Sequence, residues 1–197
     1  LGNEESPMNA HPQALLFALA LVIVALGFKV AAVPFQIWVP DVYQGASAAV
    51  TAFLAFIPKT AGMLAIIMLC TLVGWDENRL PLAIETALWV VAVLTMLLGN
   101  IGALLQTSAQ RMLGYSSIAH SGYMLIGVIA GPPLGIVAVL VYLVIYGATN
   151  TSAFATLACL SRDGDSVDSL EDISGLHKRN SLAATSLAVS SGSLLGI

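Results

Sequence analysis

Apolar residues run through the chain in long blocks rather than at the spacing of a surface helix. Each block approaches or exceeds the roughly 20 residues needed to cross hydrocarbon. The blocks lie near residues 12–44, 47–73, 81–104, 113–130, 134–160 and from 181 onward. Most links between them are short; the longest is "SRDGDSVDSLEDISGLHKRN", residues 161–180. The pattern predicts an all-α polytopic membrane protein, a partial chain of about six spans. It divides into a polar segment at 1–11, a membrane bundle over 12–160, the loop at 161–180 and the start of a further span over 181–197.

The first block is too long for one straight helix yet holds no polar loop, and Pro34 and Pro40 both interrupt its hydrogen bonding. A helix broken inside the membrane is expected, with Pro34 at the break. Unpaired backbone at that depth is tolerated only where protein or a water-filled cavity meets it, as in transporters. The competing arrangement is a single span ending near Val33, followed by an interfacial loop.

Composition agrees with the pattern: of 197 residues, 58% are hydrophobic and 9% charged, and mean hydropathy is +0.90. A net charge of −4 offers no basic surface, so nucleic acid is not expected as a partner, whereas the lipid bilayer is. Cys70 and Cys159 lie in separate apolar blocks without a second cysteine at metal-ligand spacing, and burial is the simple reading of both. A start at Leu1 and an end inside an apolar run lead us to expect a longer polypeptide, and residues 1–11 lack the basic start of a signal peptide.

Counting crossings puts Arg111, Arg162, Lys178 and Arg179 on one side of the membrane and only Arg79 on the other. The positive-inside rule makes the first side cytoplasmic, or matrix in a mitochondrion. In the long loop on that side, Leu170, Ile173 and Leu176 recur at three-residue spacing, which suggests a short amphipathic interfacial helix.

Charge inside the spans changes the picture most. The chain has three lysines, and two of them, Lys29 and Lys59, fall within apolar blocks. A mid-bilayer lysine costs roughly 2.5–3.5 kcal/mol on insertion scales. Snorkelling to the headgroups is the ordinary way out, but for Lys59 each interface is about 18 Å away along the helix. The fourth block adds "YSSIAHSGYM", where Ser116, His120 and Tyr123 share a helical face with Ser117 and Ser121 beside it. A lone histidine is usually a satisfied core residue; two buried lysines nearby shift the weight toward function. Tyr142, Tyr146 and Asn150 recur at four-residue spacing in the fifth block, as either interhelical hydrogen bonding or part of a water path.

Burial disfavours the charged form of a lysine and a nearby carboxylate restores it, so a buried lysine can take and release a proton. Histidine titrates near neutral pH and suits the link between two such sites. The expected proton-transfer residues are therefore Lys29, Lys59 and His120, with a polar path through Ser116, Ser117, Tyr146 and Asn150. No phosphate-binding glycine loop, cysteine cluster or hydrolase triad points to a soluble enzyme's chemistry, and no cofactor or metal site is expected on this chain.

The stretches "GFKVAAVPFQIWVPDVYQGA", "AFLAFIPKTAGM", "RMLGYSSIAHSGYMLIG" and "DISGLHKRN" together resemble the antiporter-like membrane subunits of proton-pumping NADH-quinone oxidoreductase, respiratory complex I. The resemblance covers about residues 13–197, and "PDVYQG" with a lysine in the next span resembles the N-type branch more than the L and M types. It implies about fourteen spans in two inverted five-helix repeats, of which this chain would hold most of the second. Lys29 would be the broken-helix lysine, Lys59 that of the following span and His120 the polar position of the tenth. A glutamate of the fifth span and a lysine of the twelfth would lie outside this sequence.

The resemblance also implies a translocase subunit without redox chemistry of its own. NADH, FMN, iron-sulfur clusters and quinone would be on other subunits, and subunits M and K would be among its neighbours. The membrane would be the bacterial inner membrane, or alternatively a mitochondrial inner membrane or thylakoid. Gln36 stands where the family often has histidine, "ASAAV" replaces a proline-rich helix start, and Pro58 precedes Lys59. Two further readings are a cation/proton antiporter subunit of the same superfamily and a structural scaffold; the scaffold would leave the lysines dispensable.

Overall fold

The computed structural model describes residues 12–73, 75, 80–161 and 169–194. Among them the helices are α1 Pro12–Val30, α2 Trp38–Gly45, α3 Ala48–Val73, α4 Leu82–Leu104, α5 Ala109–Ala130, α6 Leu134–Ser161, α7 Leu176–Arg179 and α8 Ser181–Leu194. By length and apolarity, Ala48–Leu72, Leu82–Leu104 and Leu134–Leu160 are candidate membrane spans. Helix α5 is long enough, but Ser116, Ser117, His120 and Ser121 dilute its hydropathy.

The first block is broken, as its length and prolines require. Helix α1 stops at Val30, residues 31–37 are irregular, and α2 resumes at Trp38. Pro34 lies in the break, whereas Pro40 sits in the first turn of α2, where a helix needs no N–H from it. The break is at mid-height of the bundle, because its Val33 N–H and Val30 carbonyl are met by Thr95 and Ser121, in the middle of α4 and α5. Phe28 and Trp38 stack across it at 5.2 Å, and the Trp38 indole donates to the Phe28 carbonyl at 3.2 Å. Pro58 leaves α3 continuous.

Helix α5 begins four residues earlier than hydropathy suggests. Its N-cap is Ser108, whose hydroxyl accepts the Arg111 N–H, so Arg111 belongs to the first turn and His120 moves to mid-helix. The turn before it is tied at the same end to α2, where Arg111 Nη1 reaches Asp41 at 2.8 Å and Gln44 at 3.0 Å. Leu170 donates its N–H to the Thr107 carbonyl there. The three segments therefore share one end of the bundle, as the parity of the spans requires.

The Arg111–Asp41 pair is well exposed on the carboxylate side, 72% for Asp41, so it contributes within about 1 kcal/mol. Asp41→Asn should accordingly shift the thermal midpoint of the purified protein by no more than a few degrees, read by a detergent melt; a collapse would show that the pair holds α2 in place.

The helical part of the long loop is shorter than the hydrophobic spacing suggests. Residues 170–175 form turns and α7 has four residues; Leu176 is buried and Ile173 packs on the core. Arg79, Arg162 and residues 1–11 lie outside the described residues. Cys70 is buried as expected, but Cys159 is exposed on the outer face of α6, so burial does not explain it.

Candidate functional site

Lys59 lies near the middle of α3 and is only 3% exposed. Its ammonium donates to the Ser117 carbonyl and, at 2.6 Å, to Ser117 Oγ, and sits 5.0 Å from the centre of the Tyr146 ring. A charge at that depth is tolerable only with such partners. Ser117 is the hub: Tyr146 donates its hydroxyl to Ser117 Oγ at 2.8 Å, and the Tyr43 hydroxyl of α2 stands 3.5 Å away. Tyr43 is wedged by an edge-to-face contact with Phe154, 5.8 Å between ring centres.

His120, one turn along α5, is buried and joins a second group. Its Nδ1 is 2.6 Å from the Tyr142 hydroxyl, and its ring lies 5.1 Å from that of Tyr146 and 5.6 Å from that of Tyr123. Tyr123 is half exposed and shares hydrogen bonds with Asn100. Ser116, His120, Tyr142, Tyr146 and Thr149 line a cavity of about 760 Å³ that reaches Gln106 and Leu170 at the Arg111 end. Its walls are mostly apolar, and these hydroxyls with the His120 ring are the polar groups to which water inside it would bond.

The structure thus brings Lys59, Ser117, Tyr146 and His120 together and puts Ser116 on the cavity wall. Asn150 is 1% exposed, and its Nδ2 has no partner among the described residues. Lys29 stands apart. Its side chain is exposed at the end of α1, outside the Ser117 network, and its stem passes α3 at Gly62, where an added Cβ would be 3.5 Å from Lys29 Cγ. Tyr43, in the "PDVYQG" stretch, and Tyr142 are site members that the sequence reading left out of the path. The i, i+4 spacing of Tyr142 and Tyr146 was the available signal for the second.

Lys59 and Tyr146 both donate to Ser117 Oγ, so that hydroxyl is a shared acceptor. The His120 contact with Tyr146 is ring against ring, so a hydrogen-bonded connection from Lys59 to His120 would require the Ser117 and Tyr146 hydroxyls to turn. Water in the cavity can complete that connection.

A helix bundle with one helix broken at mid-height, facing a lysine held in a hydroxyl cluster, is an antiporter-like membrane subunit. The chain belongs to the NADH:quinone oxidoreductase/Mrp antiporter transmembrane family, whose model matches residues 4–197. It is 47% identical to NADH-quinone oxidoreductase subunit N of Desulfovibrio desulfuricans over 98% of this chain and 39% of that protein. Among solved structures it resembles a chain of respiratory complex I from Thermus thermophilus with bound aureothin, at 34% identity and TM-score 0.75, covering 100% of this chain and 40% of that one. It also resembles a chain of the Mrp complex from Dietzia, at 28% identity and TM-score 0.83, over 95% of this chain and 35% of that one. The chain therefore spans about two fifths of the length of the relatives it matches.

Proposed function

We propose that this chain is part of a proton-translocating membrane subunit of NADH-quinone oxidoreductase, of the N type, in a bacterial inner membrane. The observation that carries the reading is the buried Lys59 ammonium on Ser117, joined through Tyr146 to the His120 cavity. Lys59 and His120 exchange protons, Ser117 and Tyr146 pass them, and Lys29 at the break serves a neighbouring part of the path. Redox chemistry belongs to other subunits, which hold NADH, FMN, iron-sulfur clusters and quinone; subunits M and K are the expected neighbours in the membrane arm. Moving one charge against 100 mV takes about 2.3 kcal/mol, so the drive reaches this chain by coupling.

The test is purification of the full-length parent protein in mild detergent, with its companions identified by mass spectrometry and the preparation assayed for NADH-quinone activity. Peripheral iron-sulfur subunits and NADH oxidation are the expected result. The likeness to the Mrp complex supplies the second reading, a cation/proton antiporter subunit. Companions limited to membrane subunits, with no NADH oxidation, would replace the first reading by the second and keep the proton relay.

A further inference from the structure

A helix broken at mid-height leaves backbone groups that hydrocarbon cannot satisfy. Several of those around residues 31–37 are met locally: Ala31 donates to the Phe28 carbonyl, Ala32 to that of Gly27 and Phe35 to that of Ala32. Two are met from outside. The Val30 carbonyl accepts from Ser121 Oγ of α5 at 2.5 Å, and the Val33 N–H donates to Thr95 Oγ1 of α4 at 3.0 Å. Both side chains are 0% exposed. Between the two bonds lies Ala31, buried, with φ +59°, a left-handed conformation that a non-glycine residue holds only when its surroundings impose it.

Ser121 also reaches the lysine site. Its hydroxyl has one proton and two acceptors, the Val30 carbonyl at 2.5 Å and the Ser117 carbonyl at 3.3 Å. The Ser117 carbonyl is the one that accepts from Lys59 Nζ. While the Lys59 ammonium occupies that carbonyl, the Ser121 proton belongs on Val30. Once Lys59 has lost its proton, the neutral amine donates to the Ser117 carbonyl without charge assistance and more weakly, so that carbonyl competes better for Ser121, and the hold on Val30, the residue after Lys29, weakens.

We propose that Thr95 and Ser121 are positioning residues of the proton path. They brace the two open ends of the break from neighbouring helices, and Ser121 transmits the proton state of Lys59 to the backbone that carries Lys29. The titratable groups that share the site with Lys59 are Tyr43, His120 and Tyr146, and none of them contacts Ser121 or Thr95 by a hydrogen bond. The proposal rests on the proton-relay reading above for its consequence in pumping, but the bracing itself is tested without it.

The test uses the full parent chain in its intact membrane complex, with amide hydrogen exchange over residues 29–37 and protons pumped per NADH oxidised as separate readouts. Thr95→Val and Ser121→Ala should each speed exchange there by about tenfold, the scale of one lost buried hydrogen bond, and lower the pumping ratio. Thr95→Ser, which keeps the hydroxyl, should restore both; a general packing defect would not be rescued this way. Lys59→Met should speed the same exchange, because the Ser117 carbonyl is freed. Unchanged exchange in both Thr95→Val and Ser121→Ala, or failure of Thr95→Ser to restore it, overturns the bracing. Unchanged exchange in Lys59→Met overturns the transmission. Normal pumping by Lys59→Met would instead defeat the proton-relay reading and leave the exchange results to stand by themselves. If Thr95→Val does not assemble, Ser121→Ala against Ser121→Thr gives the same comparison.

Discussion

Replacing Lys59 by methionine should leave the parent complex assembled while protons pumped per NADH fall by roughly 10²-fold, the scale of a lost proton-transfer group. The physical case for intact assembly is that a buried ammonium is a cost to the bundle, roughly 2.5–3.5 kcal/mol, that methionine does not carry. Methionine also fills most of the stem's volume, which limits any cavity. Nothing is orphaned on the other side: Ser117 Oγ keeps its bond from Tyr146, and the Ser117 carbonyl already lies within α5. Loss of pumping would then be chemical.

Lys59→Arg separates charge from proton exchange, because a guanidinium keeps its proton at any physiological pH. It should fail to pump as well. The comparison is made in inverted membrane vesicles with NADH and a short-chain quinone, following quinone reduction and acidification together. A normal ratio in Lys59→Arg would make Lys59 a fixed charge, and a normal ratio in Lys59→Met would remove it from the path.

Much of this arrangement was legible in the sequence because hydrocarbon imposes length and polarity limits that a chain cannot evade. The break followed from a block too long for one helix with Pro34 inside it, and the depth of Lys59 from counting apolar residues on either side. Errors arose where a local signal competed with hydropathy. Arg111 looked like the flank of a span, yet Ser108 before it is the N-cap, and the helix starts there. Lys29 is exposed among the described residues where Lys59 is buried, a difference the sequence could not show, because periodicity reports which residues are apolar and not which face another helix covers.

The contacts that make the site were not legible at all. Lys59 meets Ser117, Tyr43 meets Ser117, Val33 meets Thr95 and Val30 meets Ser121 across separations of 58, 74, 62 and 91 residues. Thr95 in particular reads as a threonine bonding its own helix, which it also does, to the Val91 carbonyl at 2.6 Å. Only the packing of α4 against α5 and the break shows its second bond.

That packing depends on a glycine, and Gly99→Val should lower the amount of assembled complex several-fold. An added Cβ at Gly99 would stand 2.5 Å from the Ala119 backbone nitrogen and 2.8 Å from its Cα, so α4 would have to move away from α5. Small residues let membrane helices approach to backbone contact, and overpacking typically costs about 1–3 kcal/mol. A glycine replaced in a helix interior otherwise gains up to about 1 kcal/mol in propensity, which is too little to offset the displacement. The damage extends beyond the contact, since Thr95 lies one turn from Gly99 and would withdraw from the Val33 N–H. Because the obstruction is backbone, Ala119→Gly should not rescue the variant. Gly45→Ala is the control: its added Cβ meets nothing within 4 Å, and assembly should be unchanged. Native-gel quantification of the membrane complex reads all three. Rescue by Ala119→Gly would mean that the Ala119 methyl, rather than its backbone, sets the distance between the helices.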